Sequence, residues 1–160
     1  MLTINDNGVV SLRSPYSVPE TIASLERAIQ KAGLQILARI DHGAAAADVG
    51  IAMPPTQLLI FGSASAGTLL MLASPMAAID LPLKGLAWQD DHGTVWLSYN
   101  NPLYIGKRHQ IPTQLLRHIE GIKRICEEAV SGIEKNSILT STTSPPVIPF
   151  KRSKKSVVTL

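Results

Sequence analysis

Residues 17–33 carry the start and stop signals of an amphipathic helix, and this segment most constrains the fold. Ser17 is a favourable N-cap residue, and Glu20 follows three residues later, as a capping box requires. Gly33 can end the helix in a left-handed conformation. The apolar side chains between them recur at helical spacing: Ile22, Leu25, Ile29 and Ala32. Such a helix needs an apolar surface on which to pack.

The segments around this helix predict β-strands. Residues 8–14 alternate between apolar and polar side chains, and residues 57–61 predict a buried strand. Residues 34–41 also alternate, which predicts a strand that buries one face, formed by Leu34, Ile36, Ala38 and Ile40. Residues 83–89 and 94–99 flank the turn sequence Asp90-Asp-His-Gly93, which predicts a hairpin.

Three further helices complete the prediction. The alanine run at 43–48 favours one or two helical turns, and residues 63–74 predict a short helix capped by Ser63 or Ser65. Pro112 is expected to begin the last helix, whose apolar side carries Leu115, Leu116, Ile119, Ile122, Cys126, Ala129 and Val130. The predicted fold class is α+β, an antiparallel sheet packed against two long helices plus short helices.

Five sequence blocks occur in a fixed order along the chain. They are Arg39-Ile-Asp-His42, Thr56-Gln-Leu-Leu-Ile-Phe-Gly62, Gly67-Thr-Leu-Leu-Met-Leu-Ala-Ser-Pro75, Ile79-Asp-Leu-Pro-Leu83 and Val95-Trp-Leu-Ser-Tyr-Asn-Asn-Pro-Leu-Tyr104. In this order they resemble the DUF302 family, small bacterial and archaeal domains whose activity has no settled assignment. The resemblance covers roughly residues 10–125. It implies a TBP-like arrangement of an antiparallel sheet packed against helices, and it implies no particular chemistry.

Charge and composition divide the chain into a domain, residues 1–133, and a tail, residues 134–160. The first part carries ten Lys or Arg and eleven Asp or Glu, a net charge of −1. The tail carries five basic residues and one acidic residue, a net charge of +4, and is rich in Ser, Thr and Pro. We therefore expect a mobile basic tail and no nucleic-acid binding by the core.

The cellular setting is predicted from what the sequence lacks. Cys126 is the single cysteine, the N-terminus has no apolar signal segment, and charged and proline residues interrupt the apolar stretch at 67–88. These features favour a cytoplasmic protein that has no membrane partner.

Asp41 and His42 are the first candidate site residues, because they end a predicted strand. A carboxylate beside an imidazole could act as a general base or hold a metal ion. In the alternative interpretation Asp41 caps the alanine-rich turn and His42 faces solvent, since adjacent residues of a strand point to opposite faces.

The segment 99–109 is the second candidate, interpreted as a loop that leads into the last helix. Lys107, Arg108 and His109 could meet an anionic ligand there, with Tyr99 and Asn101 nearby. Alternatively it is a capped connection. If both stretches form one site, His42 and Lys107 should lie within about 10 Å of one cavity. The full ligand-binding set is then Asp41, His42, Tyr99, Asn101, Lys107 and His109.

The remaining chemistry-bearing residues suggest structural roles. His92 is expected at a hairpin tip, His118 on a surface and Cys126 in a core. The sequence has no Ser-His-Asp motif and no cluster with metal-ligand spacing, and it does not identify a cofactor.

Three functions stay open at this level. The favoured hypothesis is a domain that binds a small molecule, such as a small anionic ligand, or a partner. The others are a minor enzyme that uses Asp41, His42 and residues 107–109, and a dimeric scaffold. A homodimer is expected because the apolar fraction is high for a short chain.

Overall fold

The computed structural model describes residues 2–4 and 7–132, and the predicted tail at 134–160 lies outside them. The strands are β1 (Leu2–Ile4), β2 (Val9–Ser14), β3 (Gln35–Asp41), β4 (Thr56–Gly62), β5 (Leu83–Gln89) and β6 (Val95–Asn100). The helices are α1 (Val18–Lys31), α2 (His42–Ala47), α3 (Ala64–Ala73), α4 (Pro102–His109), α5 (Thr113–Leu116) and α6 (Gly121–Val130). A 3₁₀ turn, Pro75–Ile79, follows α3.

The six strands form one antiparallel sheet in the order β1-β2-β6-β5-β4-β3. Helices α1 and α6 pack against each other and against strands of this sheet. The predicted α+β class, an antiparallel sheet packed against helices, is therefore confirmed. Among the described residues there is no helix with the length and apolar character needed to cross a membrane.

The local signals around α1 act as the sequence predicts. The Ser17 hydroxyl accepts a hydrogen bond from the Glu20 backbone N–H at 3.4 Å, and the Glu20 carboxylate accepts one from the Ser17 backbone at 3.0 Å. Gly33 follows the helix with φ of 72°. The side chains of Ile22, Leu25 and Ile29 are fully buried, so these three form the core face as predicted. Ala32, the fourth predicted residue, is the C-cap beyond the helix and is exposed.

The predicted alternation of β3 is wrong beyond Ile36, because a β-bulge interrupts it. Ile36 pairs with Phe61, but the next paired residue is Ala38, opposite Ile60. The extra residue reverses the faces, so Ala38 and Ile40 turn away from the core. Ile40 is 37% exposed as a result. Arg39 takes the side facing α1 and forms an ion pair with Glu26.

The single last helix predicted from Pro112 is also wrong, since two helices, α5 and α6, replace it. Residues 117–120 between them form turns with i+3 hydrogen bonds, such as the Ile119 N–H to the Leu116 carbonyl at 2.9 Å. The apolar period continues through these turns, with Leu116, Ile119 and Ile122 all buried. The sequence pattern therefore could not reveal the break.

Residues 102–109 form helix α4 and not the predicted loop. Asn101 caps it by accepting a hydrogen bond from the Leu103 backbone at 3.0 Å, and Pro102 occupies the first helical position. Basic residues fill the last turn, where they face the negative end of the helix dipole. The sequence carried all three signals.

Candidate functional site

Asp41 and His42 lie at the junction of β3 and α2. Asp41 caps α2, because its Oδ1 accepts a hydrogen bond from the Ala44 backbone at 2.9 Å. Its Oδ2 accepts one from the Gln57 side chain at 2.9 Å. His42 is the first residue of α2 and is exposed. The structure therefore agrees with the alternative interpretation, in which Asp41 caps the helix and His42 faces solvent.

Tyr99 and Asn101, at the end of β6, contribute to the fold, Tyr99 as a core residue and Asn101 as a helix cap. Tyr99 is 4% exposed within the core, and burial raises the pKa of its phenol to about 12. Asn101 uses its side-chain oxygen to cap α4, and its backbone N–H donates to the Gly8 carbonyl at 2.9 Å.

The end of α4 carries a polar cluster centred on Asp80, which sequence reasoning missed. The Nε2 atom of His109 lies 2.6 Å from Oδ2 of Asp80, and Arg108 approaches the same oxygen at 3.2 Å. Lys84 donates hydrogen bonds to the Asp80 and Pro82 carbonyls, each at 3.0 Å. Partial burial lowers the pKa of Lys84, against an opposing effect of the Asp80 charge. Lys107 precedes Arg108 on α4 and is exposed.

The two predicted stretches do not meet in one cavity, so the expected common site is not formed. His109 binds Asp80, which lies just before β5 in the chain. The first residues of β5 pair with the last residues of β4. The end of β4 pairs with the start of β3, whereas Asp41 lies at the far end of β3, about 20 Å away at strand spacing. Asp41 and His42 are therefore at the opposite end of the sheet from residues 107–109. Ligand binding by any of the six residues stays a prediction.

A cavity of about 300 Å³ lies beneath α3. The starts of β3 and β5, the end of β4 and the link between α5 and α6 contribute its other walls. Apolar side chains dominate the lining: Leu34, Leu37, Met71, Leu81, Leu83 and Ile119. The small residues Ala64 and Gly67 of α3 leave room for the cavity on one face of that helix.

A few polar groups line this cavity. They belong to Gln35, Ser63, Thr68 and His118. His118 is half-buried and not on the surface as predicted. Its position depends on the turns between α5 and α6, so no local sequence signal could have indicated it. The described lining residues include no Asp, Glu, Lys or Arg.

The other chemistry-bearing residues occupy structural positions. Cys126 is fully buried, which raises the pKa of its thiol. Asp90 folds back over the hairpin tip and accepts hydrogen bonds from the Thr94 backbone and the Trp96 indole, each at 2.8 Å. These contacts, the Trp96 bond above all, lower the pKa of Asp90, and His92 beside it is exposed. In the described ranges no group of three His, Cys, Asp or Glu is placed to hold a metal ion.

The fold is similar to that of a solved structure, titled the crystal structure of uncharacterized conserved protein DUF302 from Bacillus stearothermophilus. The match covers 78% of this chain and 96% of that chain, with a TM-score of 0.65 and 15% sequence identity. At this identity the likeness concerns the fold alone.

Curated relatives share more of the sequence. Over 111 residues the chain is 40% identical to the fluoride-specific ion channel FluC 1 of Brucella suis biovar 1 (strain 1330) and to that of Brucella abortus biovar 1 (strain 9-941). The match covers 69% of this chain but only 44% and 41% of these relatives. The chain thus spans less than half the length of the curated relatives it matches.

A family model, described as Domain of unknown function DUF302, matches residues 10–129, which extend from β2 into the last turn of α6. This range contains all described residues that line the cavity, the strands β3 to β6, and β2 apart from its first residue. The resemblance carried by the five sequence blocks is confirmed: the chain belongs to the DUF302 family.

Proposed function

We propose that this domain is a binding module for a small, mainly apolar molecule held in the cavity beneath α3. The observation that carries the proposal is the cavity itself, about 300 Å³ with predominantly apolar walls. Ligand pockets begin at about this volume, and most are apolar with a small number of polar groups.

The lining also indicates which part of a ligand would be held. The described walls include no Asp, Glu, Lys or Arg, so a strongly charged ligand would lose hydration without gaining an ion pair to any of these residues. His118, Ser63 and Gln35 could bind one polar group of the ligand and so fix its orientation. A molecule with an apolar body and one hydrogen-bonding group fits this description.

The cavity supports binding better than catalysis. His118 is the one titratable side chain among its described lining residues, and no carboxylate or thiol accompanies it there. General acid–base or nucleophilic catalysis ordinarily uses a pair of such groups within hydrogen-bonding reach. The Asp80–His109 pair lies outside this lining.

A substitution that fills the cavity tests the proposal. Gly67 lies on the cavity face of α3, and a Cβ atom there would meet only the end of Met71 at 3.8 Å. Gly67→Phe should therefore fill the cavity without disturbing the backbone. Ala73→Phe is the matched control, because Ala73 is exposed on the same helix and does not line the cavity.

Binding is measured with the uncharged fluorescent probe N-phenyl-1-naphthylamine, together with native mass spectrometry of the purified protein for co-purified molecules. We expect Gly67→Phe to weaken probe binding about tenfold or more, as loss of a buried apolar contact would, and Ala73→Phe to leave it unchanged. Equal binding by both variants, or none by the unsubstituted protein, would contradict the proposal.

A second candidate function comes from the curated relatives. Because the chain shares 40% identity with part of proteins named fluoride-specific ion channels, we infer that it could serve as an accessory domain to such a channel. The test is co-purification of the chain with a co-expressed FluC protein, and fluoride tolerance of cells that express both. No co-purification and unchanged tolerance would exclude this role.

A further inference from the structure

An apolar surface lies on the outside of α3 and the 3₁₀ turn. Leu72, Met76 and Ile79 are 76%, 78% and 72% exposed, and Leu69 is exposed one turn before Leu72. Single exposed apolar residues are common, but a contiguous group indicates a contact surface. No charged residue occurs anywhere in residues 63–79.

Cations border this apolar surface. The 3₁₀ turn packs against α4, and the ion pair between Arg108 and Asp80 places Arg108 beside Ile79. Lys107 precedes it on α4 and is exposed. We call Leu69, Leu72, Met76, Ile79, Lys107 and Arg108 the cationic apolar face.

The charge of the described chain is unevenly distributed around this face. Residues 63–84 and 102–120, which hold α3, α4 and α5, carry four basic and two acidic residues, a net charge of +2. The other described residues, 7–62, 85–101 and 121–132, carry six basic and eight acidic residues, a net charge of −2. The end of the domain that presents the apolar side chains is therefore the positive end.

We propose that the cationic apolar face binds the surface of a lipid bilayer that contains anionic headgroups. Apolar side chains that enter the headgroup region, bordered by Lys and Arg, are the arrangement of peripheral membrane binding. A second copy of the chain would oppose one positive end to another. The apolar part of this face, residues 63–79, contains neither Trp nor Tyr, two of the residue types that dominate protein–protein hot spots.

This proposal differs from the expectation of no membrane partner, because that expectation rests on the lack of a spanning segment. A surface contact requires no spanning segment, because the domain lies on the bilayer and does not cross it. The proposed bilayer contact does not depend on a ligand in the cavity. It agrees with the second candidate function, that of an accessory domain to a membrane channel.

Vesicle co-sedimentation of the full chain tests the proposal, with phosphatidylcholine vesicles that contain or lack phosphatidylglycerol. The double substitution Leu72→Glu with Ile79→Glu should weaken binding to the anionic vesicles about tenfold or more, since two apolar contacts are lost. Lys107→Ala should weaken it about fivefold, the contribution of one cation near an anionic surface.

The matched control is Val49→Glu with Ile51→Glu. These residues are similarly exposed, at 66% and 62%, but lie after α2 and outside the cationic apolar face. Both double variants change the charge equally, and both keep the basic residues at 151–155, so the tail contributes equally to each. The control should bind like the unsubstituted chain, with circular dichroism verifying the fold of every variant.

Three results would overturn the proposal. The first is no binding to anionic vesicles by the unsubstituted chain. The second is equal binding by both double variants, which would assign the interaction to the tail or to general charge. The third is unchanged vesicle binding together with conversion of a dimer to a monomer by Leu72→Glu with Ile79→Glu, which would identify a second copy as the occupant.

Discussion

The Nε2 atom of His109 lies 2.6 Å from Oδ2 of Asp80, and this contact joins the end of α4 to the end of the 3₁₀ turn. Both side chains are largely buried, at 5% and 14% exposure. Asp80 also binds Arg108, so one carboxylate holds the C-terminal turn of α4 in place.

Removal of this contact should destabilise the domain. We expect Asp80→Ala to lower the free energy of unfolding by about 1–3 kcal/mol, because His109 loses a buried partner. In a double-mutant cycle with His109→Ala the coupling energy should be at least about 0.5 kcal/mol. Asp48→Ala, at an exposed position after α2, is the control for denaturant unfolding. A coupling energy near zero would show that the two side chains act independently.

Two buried core residues should be sensitive to truncation. Leu25 and Ile119 are 0% and 3% exposed, so Leu25→Ala and Ile119→Ala should each destabilise by about 2–5 kcal/mol through lost packing and a residual cavity. Leu72→Ala, at a 76% exposed position, should have little effect. Denaturant midpoints that shift equally for all three variants would contradict the assigned core.

Two helical glycines should respond differently to alanine. A Cβ atom at Gly106 would lie 2.6 Å from Leu116 Cδ1 and 2.9 Å from its Cδ2, whereas one at Gly121 would meet nothing within 4 Å. We expect Gly106→Ala to cost about 1–3 kcal/mol as α5 is displaced. Gly121→Ala should be neutral or stabilising by up to about 1 kcal/mol. Thermal melts that rank the two variants in the opposite order would show that α5 is not packed tightly on α4.

Asp90 should contribute to stability in a pH-dependent manner. Its pKa is lowered in the folded state, mainly by the Trp96 hydrogen bond, so its stabilising effect is present above the unfolded pKa of about 4. The effect is lost as the pH falls through the lower folded pKa. Asp90→Asn should therefore reduce the fall in thermal midpoint on acidification, whereas Asp91→Asn should not. Identical acid profiles for all three proteins would refute this role.

We propose that the sheet face opposite α1 mediates the expected homodimer. Leu58, Ile60, Leu86, Trp88 and Trp96 are half-buried there, and the two tryptophan rings stack at 6.5 Å between their centroids. Light scattering should then give twice the chain mass of 17.2 kDa.

A charged substitution on this face tests the dimer. Leu86→Lys should yield monomers because it buries an unpaired charge at the interface, whereas Val49→Lys should leave the dimer intact. A monomer mass at every protein concentration would exclude the dimer.

The sequence by itself determined the elements whose signals are local. The capping box of Ser17 and Glu20, the left-handed Gly33 and the hairpin at Asp90–Gly93 each depend on residues a few positions apart. Helix α4 belongs to this class as well, since Asn101, Pro102 and the basic last turn are adjacent signals of a helix and not of the predicted loop.

Only the tertiary structure decided the features that depend on distant partners. The bulge at Ile36–Ala38 arises from pairing with β4, and it changes which side chains of β3 face the core. The break between α5 and α6 keeps an unbroken apolar period, so packing and not pattern creates it. The candidate site also depends on contacts between distant residues, because the residues that line the cavity come from positions 34 to 119 of the chain. Asp41 and His109 lie at opposite ends of the sheet. Antiparallel pairing puts the end of β3, which carries Asp41, far from the start of β5, near which Asp80 binds His109.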